Sequence, residues 1–381
     1  MPGNTWYRPM VARSADEGHR AATPLELLFD LCFVVAVAQA AARLHHAFLE
    51  NHVGHGVLGF AMVFFAIWWA WMNFTWFASA YDTDDTAYRV TTLVQIAGAL
   101  VLAAGVARAL DNGDFTVITY GYVVMRLAMV VQWLRAAKAD PPHRRTALRY
   151  AVGITVVQVG WVVRLALPQE WLLPAFFVMA LADIAVPVIA ERATTTTWHP
   201  GHIAERYGLF TLIVLGESIL AATNAVRSAI DDGHGSASLF GVAAAGLVIV
   251  FSLWWLYFDR PSEDLLTSLG TALRWGYGHL VIFASAAAIG AGLEIAVDVG
   301  AGKGHISALV AGMATAVPVA LYLLGVWALQ ILPRGRSTSA VAFPVAAVLV
   351  VLSPFTGAPL YVTAVLVAAL VLVGRLRPQN P

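Results

Sequence analysis

Long apolar stretches separated by short polar segments run along the whole chain. Each is about as long as the ~20 residues that an α-helix needs to cross the hydrocarbon core of a membrane. A helix satisfies its backbone hydrogen bonds internally, so it is stable in lipid where irregular backbone is not. The pattern predicts membrane helices near residues 23–43, 55–79, 88–108, 115–135, 147–167, 171–190, 202–224, 237–258, 274–297, 306–331, 338–353 and 357–374.

These segments predict an all-α polytopic integral membrane protein with about 12 transmembrane helices. The eleventh segment is short, contains Pro344 and runs directly into Ser353 and Pro354. Three structures fit it: a full span, a re-entrant segment, or a hairpin formed with the twelfth segment.

The composition excludes an ordinary soluble protein. Hydrophobic residues make up 59% of the 381 residues and charged residues only 12%, about half of the ~25% usual in soluble domains. The 23 basic and 23 acidic side chains balance, so no global field favours nucleic acid. The predicted partners are membrane lipid and an unknown small solute or ion, without nucleic acid. Cys32 is the one cysteine, so no intrachain disulfide or cysteine-based metal site is expected, and no cofactor is predicted.

The positions of basic residues predict the orientation, because Arg and Lys accumulate in cytoplasmic loops. With the amino terminus inside, most of the 23 basic side chains lie on the inner side. The outer side holds only Arg43, Arg108, Arg164, Arg227 and Lys303, while Arg126 lies within the fourth helix. Both termini are therefore predicted to be cytoplasmic. The preference for Arg over Lys is typical of GC-rich bacterial coding, which points to a bacterial cytoplasmic membrane.

A weak internal repeat divides the chain into two six-helix halves. A shift that places Trp68-Trp69 on Trp254-Trp255 also brings Asp30 within one position of Glu217. A different register matches Glu26 to Glu205 instead, so a parallel repeat and a chance similarity both remain open. The corresponding organisation is a cytoplasmic tail, two halves and a second tail, at residues 1–22, 23–190, 202–374 and 375–381.

The first helix begins Thr23-Pro24-Leu25-Glu26, which fits a capping box with Thr23 as N-cap and Glu26 reaching back to its amide. Glu26 is therefore explained by capping, with a direct functional role as the alternative. Asp30 lies one helical turn deeper, where a cap does not need it. A carboxylate there is either half of a structural ion pair or part of an ion, proton or substrate path.

The seventh predicted helix carries a second set of polar residues. Glu205 and Arg206 lie near its cytoplasmic end, where snorkelling to the interface or pairing with another helix explains them. Glu217 lies near the middle of the membrane, where a functional role is favoured over packing. Gly216 beside it allows a close helix approach or a bound group, and Ser218 can join a hydrogen-bond network.

Arg126 is the expected counterion within the membrane, because a guanidinium at that depth needs a carboxylate or water. Its candidate partners are Asp30, Asp183 and Glu217, and a permanent pair with any of them would be structural. Two further ionisable residues have ordinary explanations. Glu294 is expected to be solvated near the outer surface, and His279 is expected to be a hydrogen-bonded packing residue more than a proton shuttle.

Two local clusters also have ordinary explanations. The aromatic residues of the second helix are expected to serve the lipid interface and helix packing, with an aromatic-lined cavity as the alternative. The loop that follows holds Asp82, Asp84 and Asp85, which are expected to be solvated because their spacing lacks a calcium-binding pattern, with attraction of a divalent cation as the alternative.

Two segments carry a family resemblance. The first runs from Thr23 to Val34, with Gln39 after it, and the second runs from Glu205 to Leu220. They resemble the two signature segments of the bacterial low temperature requirement A family, in the same order, and the resemblance covers most of the chain. It implies a multi-pass membrane protein linked by name to growth in the cold. It carries over no catalytic residue but gives weight to Glu26, Asp30, Glu205, Arg206, Gly216 and Glu217.

The function that these features favour is an ion-coupled transporter or permease. Asp30 and Glu217 would bind the coupling proton or cation, and Arg126 would modulate them. A non-transporting membrane scaffold or stress factor that supports growth in the cold is the alternative. No enzymatic role is predicted, because the sequence contains no nucleophile elbow, HExxH motif or phosphate-binding loop.

Overall fold

The computed structural model describes residues 6–14, 17–18, 20–231, 237–300, 302 and 306–375. Lys303 and nearly all of the predicted carboxyl-terminal tail lie outside this part of the chain. Within it the protein forms twelve α-helices and no β-strand. The helices are α1 Pro24–Leu49, α2 Val53–Tyr81, α3 Thr86–Asn112, α4 Thr116–Ala139, α5 Arg144–Arg164, α6 Gln169–Ala190, α7 Pro200–Asp231, α8 Ala237–Phe258, α9 Leu269–Gly300, α10 Ala308–Val326, α11 Thr338–Leu352 and α12 Pro359–Arg375.

The predicted all-α membrane fold is confirmed. In the described residues, eleven helical segments are long and apolar enough to cross a membrane, and α12, with 17 residues, is shorter. The uncertain eleventh segment belongs to the eleven, because a 3₁₀ turn at Ser353–Thr356 extends α11. Gly357, with φ of 77°, then reverses the chain into α12, a left-handed conformation that glycine adopts without steric strain.

Apolar side chains on the outside of the helices show which surfaces face lipid. On α5, Val152, Val156, Val159 and Val163 are 55–64% exposed and recur every three or four residues, so they form one continuous stripe. A protein surrounded by water rarely exposes an apolar stripe of this length. The hydrocarbon core is the environment in which such a surface is stable.

Contacts between Cα atoms divide the chain into two compact units. The first consists of Met1–Gln39 and Met62–Arg206, and the second of Ala40–Ala61 and Tyr207–Pro381. The boundaries fall inside α1, α2 and α7. The predicted six-plus-six repeat stays a prediction. The two tryptophan pairs that suggested it lie in different environments, since Trp68-Trp69 is buried and Trp254-Trp255 is about 40% exposed.

In the first unit, α3 packs on α4, α4 on α5 and α5 on α6. The α3–α4 contact is close because small residues face each other. A Cβ added to Gly121 would lie 2.5 Å from the backbone nitrogen of Leu102 and 2.6 Å from the carbonyl oxygen of Gly98. Small residues at such crossings let helix backbones approach closely within membranes.

Polar contacts join the loops at one end of the first unit. The Tyr81 hydroxyl donates to Asp140 after α4 at 3.0 Å, and the backbone N–H of His199 before α7 donates to Ser79 at 3.0 Å. The amino-terminal segment lies on the same end, where the Arg8 N–H donates to Asp85 at 2.6 Å. This is the end that the charge distribution predicts to be cytoplasmic.

In the second unit, α9 packs on α10, α10 on α11 and α12 on α8. A Cβ at Gly292 would lie 2.5 Å from the carbonyl oxygen of Ala314, so α9 and α10 also approach through small residues.

Candidate functional site

The capping box predicted at the start of α1 is present. Glu26 Oε2 accepts a hydrogen bond from the Thr23 N–H at 2.7 Å, and Thr23 Oγ1 accepts one from the Glu26 N–H at 3.3 Å. Capping occupies only one oxygen of the Glu26 carboxylate, which is buried. The other oxygen, Oε1, is therefore available for a second role.

Oε1 of Glu26 is surrounded by cationic and titratable groups. His202 Nε2 and Arg206 Nη1, both from the start of α7, lie 3.1 Å from it, and Arg20 Nη2 lies 3.5 Å from it. His202 and Arg206 are 0% exposed. Arg206 therefore does not snorkel to the membrane interface, and the alternative of pairing with another helix is the one observed.

Asp30 pairs with the same arginine. Its Oδ1 accepts hydrogen bonds from Arg206 Nη2 at 2.5 Å and from the indole N–H of Trp71 on α2 at 2.7 Å. The Asp30 side chain is 0% exposed, and its Oδ2 has no hydrogen-bond partner among the described residues. One side of this carboxylate is thus fixed by charge, and the other is left for a proton or a small polar ligand.

Arg20 and Asp82 extend this group toward the predicted cytoplasmic end. Arg20 Nη2 lies 2.7 Å from Asp82 Oδ2, and Arg20 Nη1 donates to the Ala78 carbonyl at 3.0 Å. Burial raises the pKa of Asp82 to about 6, against the opposing effect of Arg20. These side chains form one connected charge cluster, which consists of Arg20, Glu26, Asp30, Asp82, His202 and Arg206.

Helical spacing explains how two helices build the centre of the charge cluster. Glu26 and Asp30 are four residues apart on α1, and His202 and Arg206 are four residues apart on α7. Residues at this spacing lie on one face of a helix, one above the other. An acidic pair thus faces a basic pair, and each carboxylate contacts the arginine between them.

The charge cluster has more acids than permanent cations. Three carboxylates face two guanidiniums, and the neighbouring Arg13, 4.0 Å from Asp82, also pairs with Glu17 at 2.5 Å. With His202 neutral, the six residues carry one net negative charge. Because a buried uncompensated charge is unfavourable, this imbalance favours the binding of one proton or cation by the cluster.

Arg126 belongs to a separate group in the first unit. Its Nη2 lies 3.3 Å from Asp183 Oδ1, while Asp183 Oδ2 accepts hydrogen bonds from the Tyr122 hydroxyl at 3.0 Å and the Trp161 indole at 2.8 Å. Arg126 and Asp183 are both buried. Of the three predicted partners, the structure thus selects Asp183, and Asp30 is neutralised by Arg206 instead.

Glu217 and Ser218 lie in the second unit. The Ser218 hydroxyl donates to the Ala286 carbonyl on α9 at 3.3 Å, so Ser218 links two helices. Glu217 is half-buried, and Glu294 on α9 is near enough to repel it. Gly216 was expected to allow either a close helix approach or a bound group, and the close approach is not observed, because a Cβ there would meet no atom within 4 Å.

Two other sequence expectations can now be compared with contacts in this unit. Glu294 lies 4.0 Å from the ring of His45, whose Nε2 contacts Asp298 at 2.8 Å, so Glu294 belongs to a polar group near the end of α9. His279 is buried and hydrogen-bonded through both ring nitrogens, to the Trp275 carbonyl at 2.7 Å and the Tyr257 hydroxyl at 2.9 Å. This is the packing role expected for His279.

For the α2 aromatics, the expected helix packing is observed but the expected lipid-interface role is not, and the expectation for the following loop needs correction. Trp68, Trp69 and Trp71 are at most 1% exposed, so they fill the protein interior and do not reach the lipid interface. Asp82 and Asp85 are not solvated either. Asp85 caps α3 by accepting from the Tyr88 N–H at 2.7 Å and pairs with Arg135 at 2.7 Å. In the loop, only the Asp84 carboxylate, paired with Arg89, is exposed.

Sequence reasoning did not assign functional weight to Arg20, Trp71, Asp82 or His202. The matching four-residue spacings of Glu26–Asp30 and His202–Arg206 could have indicated His202, because they place complementary pairs on two helices. No local signal marks Arg20 or Trp71, since their roles depend on which helices become neighbours.

Comparisons with known proteins identify relatives of this chain. A family model described as bacterial low temperature requirement A protein (LtrA) matches residues 21–374, which include every described residue of the charge cluster except Arg20. A curated relative, uncharacterized protein RA0937 of Rhizobium meliloti (strain 1021), is 26% identical over 281 residues. The match covers 68% of this chain, and the chain spans 65% of the length of that relative.

Proposed function

The chain belongs to the bacterial low temperature requirement A family, and from that premise we propose that it is a proton-coupled transporter of the bacterial cytoplasmic membrane. The observation that carries the proposal is the charge imbalance of the charge cluster. Three carboxylates whose side chains are at most 5% exposed form, with two arginines and one histidine, a group that favours one exchangeable proton. Buried ionisable groups within membrane helices are typical of proton and ion paths.

The residues of the charge cluster take different parts in this mechanism. Arg206 holds a permanent positive charge against Glu26 and Asp30, since a guanidinium does not lose its proton in a protein. We assign the exchangeable proton to the group formed by His202, Glu26 and Asp82, in which His202 lies 3.1 Å from Glu26 and burial raises the pKa of Asp82 to about 6. When the proton leaves, the net charge of the cluster becomes more negative by one, and the attraction between the rest of the cluster and Arg206 becomes stronger. That change in electrostatic attraction couples proton binding to the packing of α1 on the start of α7.

Glu217 and Glu294 form a second place for a proton or monovalent cation, in the second unit. The two carboxylates repel each other, and a proton or cation bound between them would relieve that repulsion. Glu294 also accepts a hydrogen bond from Asn224, which fixes one of its oxygens. Glu217 is thereby the freer of the two acids and is the one assigned to the path.

Proton flux in proteoliposomes tests this proposal. The wild type is expected to move protons down an imposed gradient, and Glu26→Gln and Glu217→Gln are expected to lose most of this flux while keeping their helical content and size-exclusion profile. Flux equal to the wild type in both variants contradicts the assignment. A folded wild type without proton or cation flux contradicts transport itself and favours a non-transporting membrane scaffold.

A further inference from the structure

A small cavity lies in the first unit, between α2, the start of α4, the end of α5 and α6. Its volume is about 20 Å³, and Thr119, Arg164 and several aromatic side chains line it. Phe115 comes directly before α4 and Arg164 is the last residue of α5, so the cavity lies toward the predicted outer side. A cavity of this volume holds one water molecule or one ion of similar size. It is called the Arg164 cavity below.

Arg164 is a buried cation without an ionic partner among the described residues. It is 3% exposed, and its Nε donates to the Leu172 carbonyl at 2.8 Å. Within the described part of the chain, its two terminal nitrogens have no hydrogen-bond acceptor, and no carboxylate lies within ion-pair distance. A guanidinium keeps its proton in a protein, so this positive charge is permanent.

The acids nearest to Arg164 along the chain do not neutralise it. Asp114, two residues before α4, pairs with Arg108 at 2.7 Å. Glu170, in the first turn of α6, is exposed. Neither carboxylate contacts the buried guanidinium, so the positive charge is not balanced from the adjacent loops.

Asp183 lies behind the cavity wall and is also occupied. Tyr122 and Trp161, which line the cavity, both donate to its Oδ2, at 3.0 and 2.8 Å, and its Oδ1 pairs with Arg126. Arg126, Asp183 and Arg164 together carry one net positive charge. Because a buried uncompensated charge is unfavourable, one monovalent anion in the cavity would stabilise this part of the protein.

The other groups around the cavity leave that charge in place. The guanidinium carbon of Arg164 lies 5.3 Å from the ring centroid of Phe115, 5.6 Å from that of Phe176 and 6.0 Å from that of Trp161. These rings attract a cation and orient it, but they have no net charge. The Thr119 hydroxyl has no hydrogen-bond partner among the described residues, so it provides a second donor on the cavity wall.

We propose that the Arg164 cavity binds one chloride ion, which accepts hydrogen bonds from the terminal N–H groups of Arg164 and from the Thr119 hydroxyl. The charge of Arg164 selects an anion over a cation. The volume of about 20 Å³ selects an ion close in size to water, since phosphate or an organic carboxylate needs more space. This site is separate from the charge cluster and does not depend on the proposed transport function.

Thermal unfolding of the full-length protein in detergent micelles tests the proposal, with sodium chloride replaced stepwise by sodium gluconate at constant ionic strength. The melting temperature of the wild type is expected to rise with chloride concentration and to saturate, because a ligand that binds only the folded state stabilises it. Gluconate is too large for the cavity and is expected to cause no rise. In crystals grown with bromide, an anomalous diffraction peak is expected beside Arg164.

Two variants remove the proposed donors one at a time. Arg164→Gln is expected to abolish the chloride-dependent rise in melting temperature. Thr119→Val, which keeps the shape of the side chain, is expected to raise the chloride concentration for half of the effect about tenfold. It carries the test if Arg164→Gln does not fold.

Arg108→Gln is the matched control, because Arg108 is an arginine on the same predicted outer side but is 61% exposed and paired with Asp114. It is expected to respond to chloride as the wild type does. The proposal is overturned by an equal rise in chloride and gluconate, by a chloride response that folded Arg164→Gln or Thr119→Val retains unchanged, or by a bromide-free cavity. A wild type without a saturable response would show that the cavity holds only water.

Discussion

Arg206 is the residue on which the buried polar chemistry of the first unit depends most. It contacts both Glu26 and Asp30 and is 0% exposed, so its removal leaves two carboxylates in the interior without their main cation. The penalty for an uncompensated buried charge is larger than the net gain from forming the pair. The loss of folding stability on replacing Arg206 therefore measures how far water is excluded from the charge cluster.

We expect Arg206→Gln to lower the free energy of unfolding by about 3–5 kcal/mol. Denaturant unfolding in detergent micelles, followed by circular dichroism, measures this change. Arg89→Gln is the control, since the Arg89–Asp84 pair is about half exposed and an exposed pair stabilises little. Equal, small effects of the two substitutions would show that the charge cluster is hydrated and not buried as described.

The raised pKa of Asp82 predicts that the stability of the folded protein depends on pH. Burial raises its pKa from 3.8 to about 6 in the folded protein, so between these values the folded state binds more protons than the unfolded state. Stability then falls as the pH rises from about 4 to 6. Above pH 6 Asp82 is deprotonated in both states, so it causes no further change in stability. We expect Asp82→Asn to reduce that slope in melting temperatures measured across the range. An unchanged slope would assign the pH dependence to other groups.

The residues of the candidate site were predictable to different degrees. Glu26 and Asp30 stand out in the sequence, because carboxylates at the start of an apolar helix are rare and need an explanation. Their counterion was not predictable, since Arg126 is the arginine deepest in an apolar segment and Arg206 lies close to a helix end. Only the packing of α1 on the start of α7 makes Arg206 the partner.

At the level of helices, close contacts depend on which glycines face another backbone. Gly121 faces Leu102 and Gly98 across the α3–α4 contact, whereas a Cβ at Gly216 on α7 would meet nothing within 4 Å. The two positions therefore respond differently to the same added methyl group. In the sequence both are single glycines within apolar helices, and nothing local separates them.

Gly121→Ala is expected to lower stability by about 1–3 kcal/mol, because the methyl group cannot fit against the α3 backbone without displacement. Gly216→Ala is expected to raise it by roughly 0.5–1 kcal/mol, because alanine loses less backbone entropy in a helix. Thermal unfolding of the two variants under identical detergent conditions measures both effects. The same sign for both would contradict the packing described for one of them.

Helix positions were predicted more closely than helix ends. The predicted first helix ends at residue 43, but α1 continues to Leu49 through His45 and His46. The predicted ninth helix begins at residue 274, but α9 begins at Leu269, before Arg274. The apolar pattern reports where lipid surrounds a helix, whereas backbone hydrogen bonds continue into the polar region beyond it.

At the scale of the whole molecule, the orientation in the membrane follows from charge and is open to direct test. The positive-inside rule places the α1–α2 loop outside and the α8–α9 loop inside. Cys32 is the one native cysteine, so a Cys32→Ala background gives a protein without reactive thiols. Within it, His52→Cys is expected to react with a membrane-impermeant maleimide in intact cells.

Glu263→Cys, in the α8–α9 loop, is expected to react only after the membrane is permeabilised. Both positions lie in exposed loops of the second unit, so accessibility within the protein does not separate them. The reverse pattern would invert the topology and place the amino terminus outside.

The number and class of the helices were predictable from the sequence, because length and hydropathy decide them locally. The division into two units was not, because its boundaries fall inside α1, α2 and α7, where the sequence shows no linker. A single continuous helix can contribute to two packing units, and no change in composition marks the residue at which it does so. In α7, for example, the first turns up to Arg206 belong to the first unit and the rest of the helix belongs to the second.

The most direct test of the central claim compares two buried histidines in the proteoliposome proton-flux assay. His202 and His279 are both 0% exposed, but only His202 contacts a carboxylate, whereas His279 bonds a tyrosine and a backbone carbonyl. The account predicts that His202→Gln abolishes proton flux and that His279→Gln retains it. Wild-type flux in folded His202→Gln, or equal loss in both variants, would contradict a proton held by the charge cluster.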